Sequence, residues 1–320
     1  MTSQVEALSA LSHVERAVLE AGLRAPSPHN AQPWRFRRLG PGQLDLYYWG
    51  EDKLLCDPDD RDAYLAIGAL LESMTLRAGQ LQAGLRFTTS FAPAPEGVLV
   101  GRVEIGGAAE ADPLAAHLAS RRTNRQPYDR AKLPGELQAE LQELGCLFFD
   151  TDEMADLVDR ASVLAWKDRN FTLDLSKWTR FADSAVDGMT CRMLRLNVID
   201  QQFLRLALRL GTLPSWLAHL YALRDVYLTR MSGAMAVLTA PDMSPSSLLD
   251  AGRRLLRSWL VITARGHASH PMSIVIDQST KAELARRINH PLPVAIFRVG
   301  RTPKPAEESG RRGLEAVLIP

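Results

Sequence analysis

Apolar positions Val14, Ala17, Val18 and Ala21 recur at helical spacing behind Ser12 and Glu15, which stand as a capping box, and Pro26 stops the run. A first helix is expected between Ser12 and Pro26. Two runs of aromatic and branched residues, 34–39 and 44–49, flank Gly40-Pro41-Gly42 and predict a hairpin. Asp59 or Asp60 then stands where a helix cap belongs, and Ile67, Leu70, Leu71, Met74, Ala78 and Leu81 form one apolar face before Gly84, as in a central core helix. Residues 86–91 and 98–105 read as strands across a turn at Pro93 and Pro95.

After a small polar stretch at 106–112 the pattern restarts with a short helix at 113–120. Helices are expected at 134–144, 153–169, 246–264 and 280–288, and strands at 147–150, 234–240, 272–276 and 294–299. Between Thr172 and Arg230 the pattern becomes leucine-rich and uneven, with Trp178 and Trp216, as in an insertion placed to cover a site. The fold class is α+β, in two halves, 1–112 and 113–320.

Composition changes this picture little. The 320 residues are 46% hydrophobic and 23% charged, the mix of a globular chain with a large core. A formal net charge of +1 gives no global field, so neither nucleic acid nor an anionic membrane is an expected partner. Cys56, Cys146 and Cys191 are far apart, which suits a reducing cytoplasm rather than a disulfide framework. The first thirty residues lack the apolar run of an export signal, and the apolar stretch at 210–223 is shorter than the roughly 20 residues a bilayer span needs.

Two segments carry candidate chemistry. Pro26-Ser27-Pro28-His29-Asn30-Ala31-Gln32-Pro33-Trp34 is a loop stiffened by three prolines, and the amides of Asn30 and Gln32 complement the pyrimidine edge of a flavin, with Ser27 in reach of a phosphate or a ribityl hydroxyl. The alternative is that both amides merely cap the neighbouring elements. Arg121-Arg122-Thr123-Asn124-Arg125 puts Arg121, Thr123 and Arg125 on one side of an extended chain, a forked cationic set suited to a phosphate, with Arg122 facing elsewhere. The alternative there is a solvated basic patch. His267 and His270 lack a third ligand at metal spacing, and no dinucleotide, P-loop, zinc-protease or nucleophile-elbow motif occurs.

Together the two segments resemble the nitroreductase family, whose members carry an Arg-x-Ser/Thr-x-Arg/Lys clamp and a Pro-Ser-x-x-Asn-x-Gln-Pro-Trp loop. Here the loop precedes the clamp, as in the twin-repeat Acg-type branch, which the run Asp57-Pro58-Asp59-Asp60-Arg61 is also similar to. The resemblance implies a nitroreductase-like fold of two tandem half-domains forming an internal pseudo-dimer, active as a monomer with one FMN per chain. It implies FMN contacts from Pro26, Ser27, Pro28, Asn30, Gln32, Arg121, Thr123 and Arg125, from His270, Pro271, Met272 and Ser273 near the flavin N5, and from Arg311 and Arg312 on the phosphate. No side chain is expected to act as acid or base. The activity implied is hydride transfer from NAD(P)H through the flavin to a small organic substrate; flavin storage, or dehydrogenation of a specialised metabolite, are the alternatives.

Overall fold

The computed structural model describes residues 8–290 and 292–320. Helix α1 (His13–Leu23) starts on the expected capping box: the Ser12 Oγ accepts from the Glu15 amide at 3.2 Å while the Glu15 carboxylate accepts from the Ser12 amide at 2.7 Å. Strands β1 (Trp34–Gly40) and β2 (Gln43–Trp49) form the antiparallel hairpin. Helix α2 (Arg61–Gln80) follows, and β3 (Leu85–Ala94) and β4 (Gly97–Ile105) complete the first half's strands. Asp60 occupies the cap position of α2 without a side-chain cap bond; the Asp57 carboxylate instead accepts from the amides of Asp62 and Ala63. Asp60 is engaged by Tyr48 and Lys53, so the more distant aspartate takes the free amides.

The second half contains α3 (Gly135–Glu143), β5 (Cys146–Phe149) and α4 (Thr151–Lys167). Asp168 ends α4, which covers the helix expected at 153–169, and caps a further helix, α5 (Arg169–Trp178). The short strands β6 (Thr179–Arg180) and β7 (Met189–Thr190) and the helices α6 (Val198–Leu210) and α7 (Ser215–Arg230) fill the leucine-rich segment. Then come β8 (Ala234–Thr239), α8 (Pro245–Ala264), β9 (Ala268–Pro271), α9 (Ile274–Asp277), α10 (Lys281–Arg287), β10 (Pro293–Gly300), α11 (Leu314–Val317) and β11 (Leu318–Ile319). The strand expected at 272–276 is a correction. Pairing with β10 ends at Pro271, and after the Met272 amide bonds the Ile296 carbonyl the chain turns into α9. A short apolar run has no period that separates strand from helical turn.

The architecture is mixed α+β. One sheet runs β11-β1-β2-β4-β3 and a second β5-β8-β10-β9. The chain's last strand lies parallel to β1, so residues after β10 return to the first sheet. Helices α2 and α8 pack along each other, in one hydrophobic core that takes residues from both halves, Leu11 through Leu318. Their backbones approach closely: a Cβ on Gly68 would lie 2.1 Å from the Leu249 carbonyl oxygen, and one on Gly252 2.1 Å from that of Leu65. Among the described residues no helix is long and apolar enough to cross a membrane.

Candidate functional site

The Pro26–Trp34 loop has unusual backbone. His29, Asn30 and Gln32 have φ of 50°, 56° and 54°, a region that residues other than glycine seldom occupy. Side chains hold it there. The Ser27 Oγ accepts from the Gln32 amide at 3.0 Å, and the Asn30 Nδ2 donates to the carbonyls of Gly188 and Gly310 at 3.0 and 3.2 Å. Gln32 is fully buried; its Nε2 donates to Val186 O at 2.8 Å, and its Oε1 accepts from the Arg312 amide at 2.9 Å. The two amides expected on a flavin edge are thus engaged inside the chain, because a left-handed loop buried under the chain's last residues must satisfy its own polar groups first.

Below that loop lies a cavity of about 560 Å³. It is lined by Pro26, Ser27, Pro28 and Asn30 from the loop, Arg121, Thr123 and Arg125 from the arginine segment, His270, Pro271, Met272 and Ser273 from the end of β9, and Arg311. Gln32 and Arg312 do not reach it. Arg312 pairs with Asp52 at 2.9 Å and Asp187 at 2.8 Å, and Asp52 also pairs with Arg35, an ion-pair set behind the loop. Both core helices add apolar wall, through Leu65, Ala66 and Ala69 of α2 and Leu255 and Trp259 of α8. The leucine-rich segment contributes Leu175, Met189, Met193 and Asp225, whereas no residue from 194 to 224 lines the cavity.

The arginine segment is not an extended strand: only Thr123 makes a β-bridge, to Ser269, so alternation does not place Arg121 and Arg125 together. They belong to two clusters. Arg121 gathers with Arg24, Arg122 and Arg311, and the carboxylate beside this group, Glu308, pairs with Arg24 and Arg122 at 2.9 Å each. Arg122 therefore faces this cluster, contrary to the alternation. Arg121 is 6% exposed; one of its Nη atoms donates to the Arg24 carbonyl at 3.2 Å, and the other is buried without a partner, as is the Nε of Arg311. Burial, with the guanidinium groups of Arg311, Arg122 and Arg24 beside it, pushes Arg121 down to about 9, and burial with Arg24 and Arg122 pushes Arg311 down to about 10. A buried cation is tolerable only when a counter-charge meets it.

Arg125 makes no ion pair among the described residues and is pushed down to about 10 by burial and by Arg224 and Arg298. Arg298, fully buried within β10, donates from Nε to the His270 Nδ1 at 2.9 Å and from Nη2 to the Asn124 carbonyl at 3.1 Å, with Tyr128 against its guanidinium. Guanidinium only donates, so the His270 Nδ1 is an acceptor and its proton sits on Nε2. Burial and then Arg298, Arg125 and Arg224 hold His270 well below the ordinary histidine range, as a neutral donor at the cavity. Its neighbour in sequence, His267, is tied separately, to the Arg265 carbonyl and Arg301.

A different wall carries carboxylates. Asp62 and Asp277 line the cavity with Cys56, and both carboxylates pair with the buried Arg61. Burial, and then the neighbouring Asp62 charge, raises the carboxyls of Asp57 and Asp277 to about 7 against the opposing pull of Arg61.

Two relatives from Mycobacterium tuberculosis, strains CDC 1551 / Oshkosh and ATCC 25618 / H37Rv, are each 32% identical to this chain over 125 residues. Both bear the provisional name NAD(P)H nitroreductase. The matched stretch is 38% of this chain and 36% of each relative, so the likeness spans about a third of either length. No family profile matches the chain. Among solved structures, the FMN-dependent nitroreductase NfnB from Mycobacterium smegmatis, determined with NADPH, superposes over 63% of this chain and 96% of its own, at 16% identity and a TM-score of 0.40, too loosely to bear on the fold.

Sequence reasoning missed Arg24, Trp259, Arg298, Glu308 and the carboxylate wall. One of these left a signal: Arg298 interrupts an otherwise apolar strand, and a charge at such a position marks a buried cation. The others come from five separate stretches of the chain, so no local pattern joins them.

Proposed function

We propose that this chain is an FMN-binding, nitroreductase-like oxidoreductase whose single flavin site is completed by both halves of the chain, an internal pseudo-dimer of 1–112 and 113–320. One observation carries the reading: four guanidinium groups gather beside a cavity of cofactor size with one carboxylate, which pairs with Arg24 and Arg122, while Arg121 and Arg311 keep buried unpartnered nitrogens. A dianionic phosphate monoester is the counter-charge that this cluster lacks. Arg121 and Arg311, with the Thr123 hydroxyl, would hold the phosphate. Pro26, Ser27, Pro28 and the stretch His270–Ser273 would flank the isoalloxazine ring with Asn30, which both braces the loop and lines the cavity, while Gln32 and Arg312 hold the loop in shape rather than touch the cofactor.

The separate cluster of Arg125, Arg298 and neutral His270 suits the ring's electron-rich pyrimidine side, which accepts hydrogen bonds and gains negative charge on reduction. Bound FMN would supply two-electron chemistry at N5, and the chain's own residues orient it and govern access. The provisional name of the relatives favours NAD(P)H as the reductant, and a small organic acceptor completes the reaction. Three unpaired cysteines fit a reducing cytoplasm. The test is titration of flavin-free protein with FMN and with FAD, followed by anaerobic mixing with NADH or NADPH while flavin absorbance is recorded. Saturation at one FMN per chain and bleaching by a nicotinamide are expected; a protein that ignores FMN would overturn the site, and bound flavin that stays oxidised would overturn the oxidoreductase.

A further inference from the structure

Helices α6 and α7 leave an unusual amount of apolar surface in water. On α6 the exposed residues Ile199, Phe203, Leu206 and Leu210 are spaced four, three and four apart, and on α7 Trp216, Leu220, Leu223 and Tyr227 repeat the same spacing. Every one of the eight is more than half exposed, from 52% at Leu206 to 72% at Trp216. The opposite sides of both helices are already packed: Leu204, Ala207 and Ala218 are buried with Trp166, Leu175, Met189 and Leu213. The exposed residues are therefore not the helices' attachment to the molecule, nor do they line the cavity.

Alternation of four and three is the seam of a helix that packs against another helix, two positions per heptad. A membrane-lying helix presents a broader apolar arc. We propose that these two stripes meet a second copy of this chain, α6 of each copy lying antiparallel to α7 of the other in an isologous dimer. The spacing reads the same in both directions, so an antiparallel register brings Ile199 to Tyr227, Phe203 to Leu223, Leu206 to Leu220 and Leu210 to Trp216 of the other copy. Charge agrees with that register. The residues that follow the first stripe position of α6 and the third of α7 are Asp200 and Arg224, which flank the seam on the same side in an antiparallel pair. Neither makes an ion pair within its own chain among the described residues; Asp200 accepts from the Asn197 amide, and Arg224 donates to the Leu194 carbonyl while its charge also bears on the like charges at Arg125 and Arg298 and on His270. Two-fold symmetry forms the pair twice.

The area is also sufficient. Eight large side chains, each leaving on the order of 100 Å² exposed, offer roughly 800 Å², which is what one partner contributes to a standard interface. A monomer's largest apolar patch is usually smaller. The cavity is built within one chain, so pairing adds no residue to it.

The full chain is examined by sedimentation velocity from about 1 to 100 µM, with circular dichroism confirming the fold of each variant. The parent is expected to be a dimer, Leu206→Glu a monomer, and Asp200→Arg or Arg224→Asp to weaken association roughly tenfold through two lost and two repulsive pairs. The double variant Asp200→Arg/Arg224→Asp restores it. A parent that stays monomeric at 100 µM overturns the proposal, as does a dimer indifferent to Leu206→Glu. A monomer that sediments with vesicles of phosphatidylcholine and phosphatidylglycerol makes the face a membrane surface instead. A dimer broken by Leu206→Glu yet untouched by both charge reversals rules out the α6-to-α7 register.

Discussion

At the scale of the residue, the two clusters make the three arginines of the segment unequal. Arg121→Ala is expected to weaken FMN binding by about 1.5–3 kcal/mol, the range of hydrogen bonds to charged groups. The same change removes a buried cation without a full partner, so flavin-free protein should unfold at the same or a higher temperature. Loss of affinity together with loss of stability in flavin-free protein would mean that Arg121 is structural. Arg122→Ala should cost less affinity, because Glu308 already neutralises it. Arg312→Ala should behave in the opposite way: it removes one of the two cationic partners of Asp52 and of Asp187, which keep Arg35 and Arg180, and is expected to destabilise the fold by about 1.5–3 kcal/mol. Chemical denaturation reads that loss directly. The carboxylate wall adds a pH dependence. Asp57 and Asp277 have folded values raised to about 7 from an ordinary value near 4, so the folded chain binds more protons than the unfolded one between those limits. Stability is therefore greatest at the acid end of that window and falls as pH rises through 7; Asp277→Asn should flatten the fall, measured as melting temperature against pH.

At the scale of the element, the close approach of α2 and α8 leaves no room for a methyl group at Gly68 or Gly252. Alanine at either position meets a backbone oxygen rather than a flexible side chain, so the helices must part, at a cost of about 3 kcal/mol or more. Both helices supply cavity wall, so Gly68→Ala should lower the melting temperature and weaken FMN binding together. Retained affinity in a destabilised protein would separate the contact from the site. The elements themselves were largely legible in the chain. The Ser12 and Glu15 capping box, the hairpin around Gly40-Pro41-Gly42 and the long apolar face of α2 announce themselves through local spacing. Where local signals compete, the reading slipped: the strand expected at 272–276 is a helical turn after a Pro271 that ends the pairing, and α11 and β11 are too short to show a period. For the candidate site, the loop and the arginine segment were visible as motifs, but which side chain faces the cavity was not. Gln32 turns inward and Asn30 is tied to Gly188 and Gly310 at the cavity wall because the loop's left-handed backbone needs them, and Arg121 and Arg125 separate because only Thr123 between them joins a ladder.

At the scale of the whole molecule, the near-zero formal net charge conceals an uneven distribution. The cavity holds arginines around Arg121 on one wall and the carboxylates Asp62 and Asp277 on another, and among the described residues Glu308 is the one carboxylate that pairs with the first group. Such a lining is an electric dipole set within low-dielectric walls, which concentrates its field in the opening. A ligand with a negative tail and a hydrogen-donating head would be turned as it enters, before any contact forms. The rate of its arrival should then fall with ionic strength, while dissociation, governed by contacts already made, stays nearly level. Stopped-flow mixing with FMN at rising salt would show that asymmetry as a slope confined to the association phase.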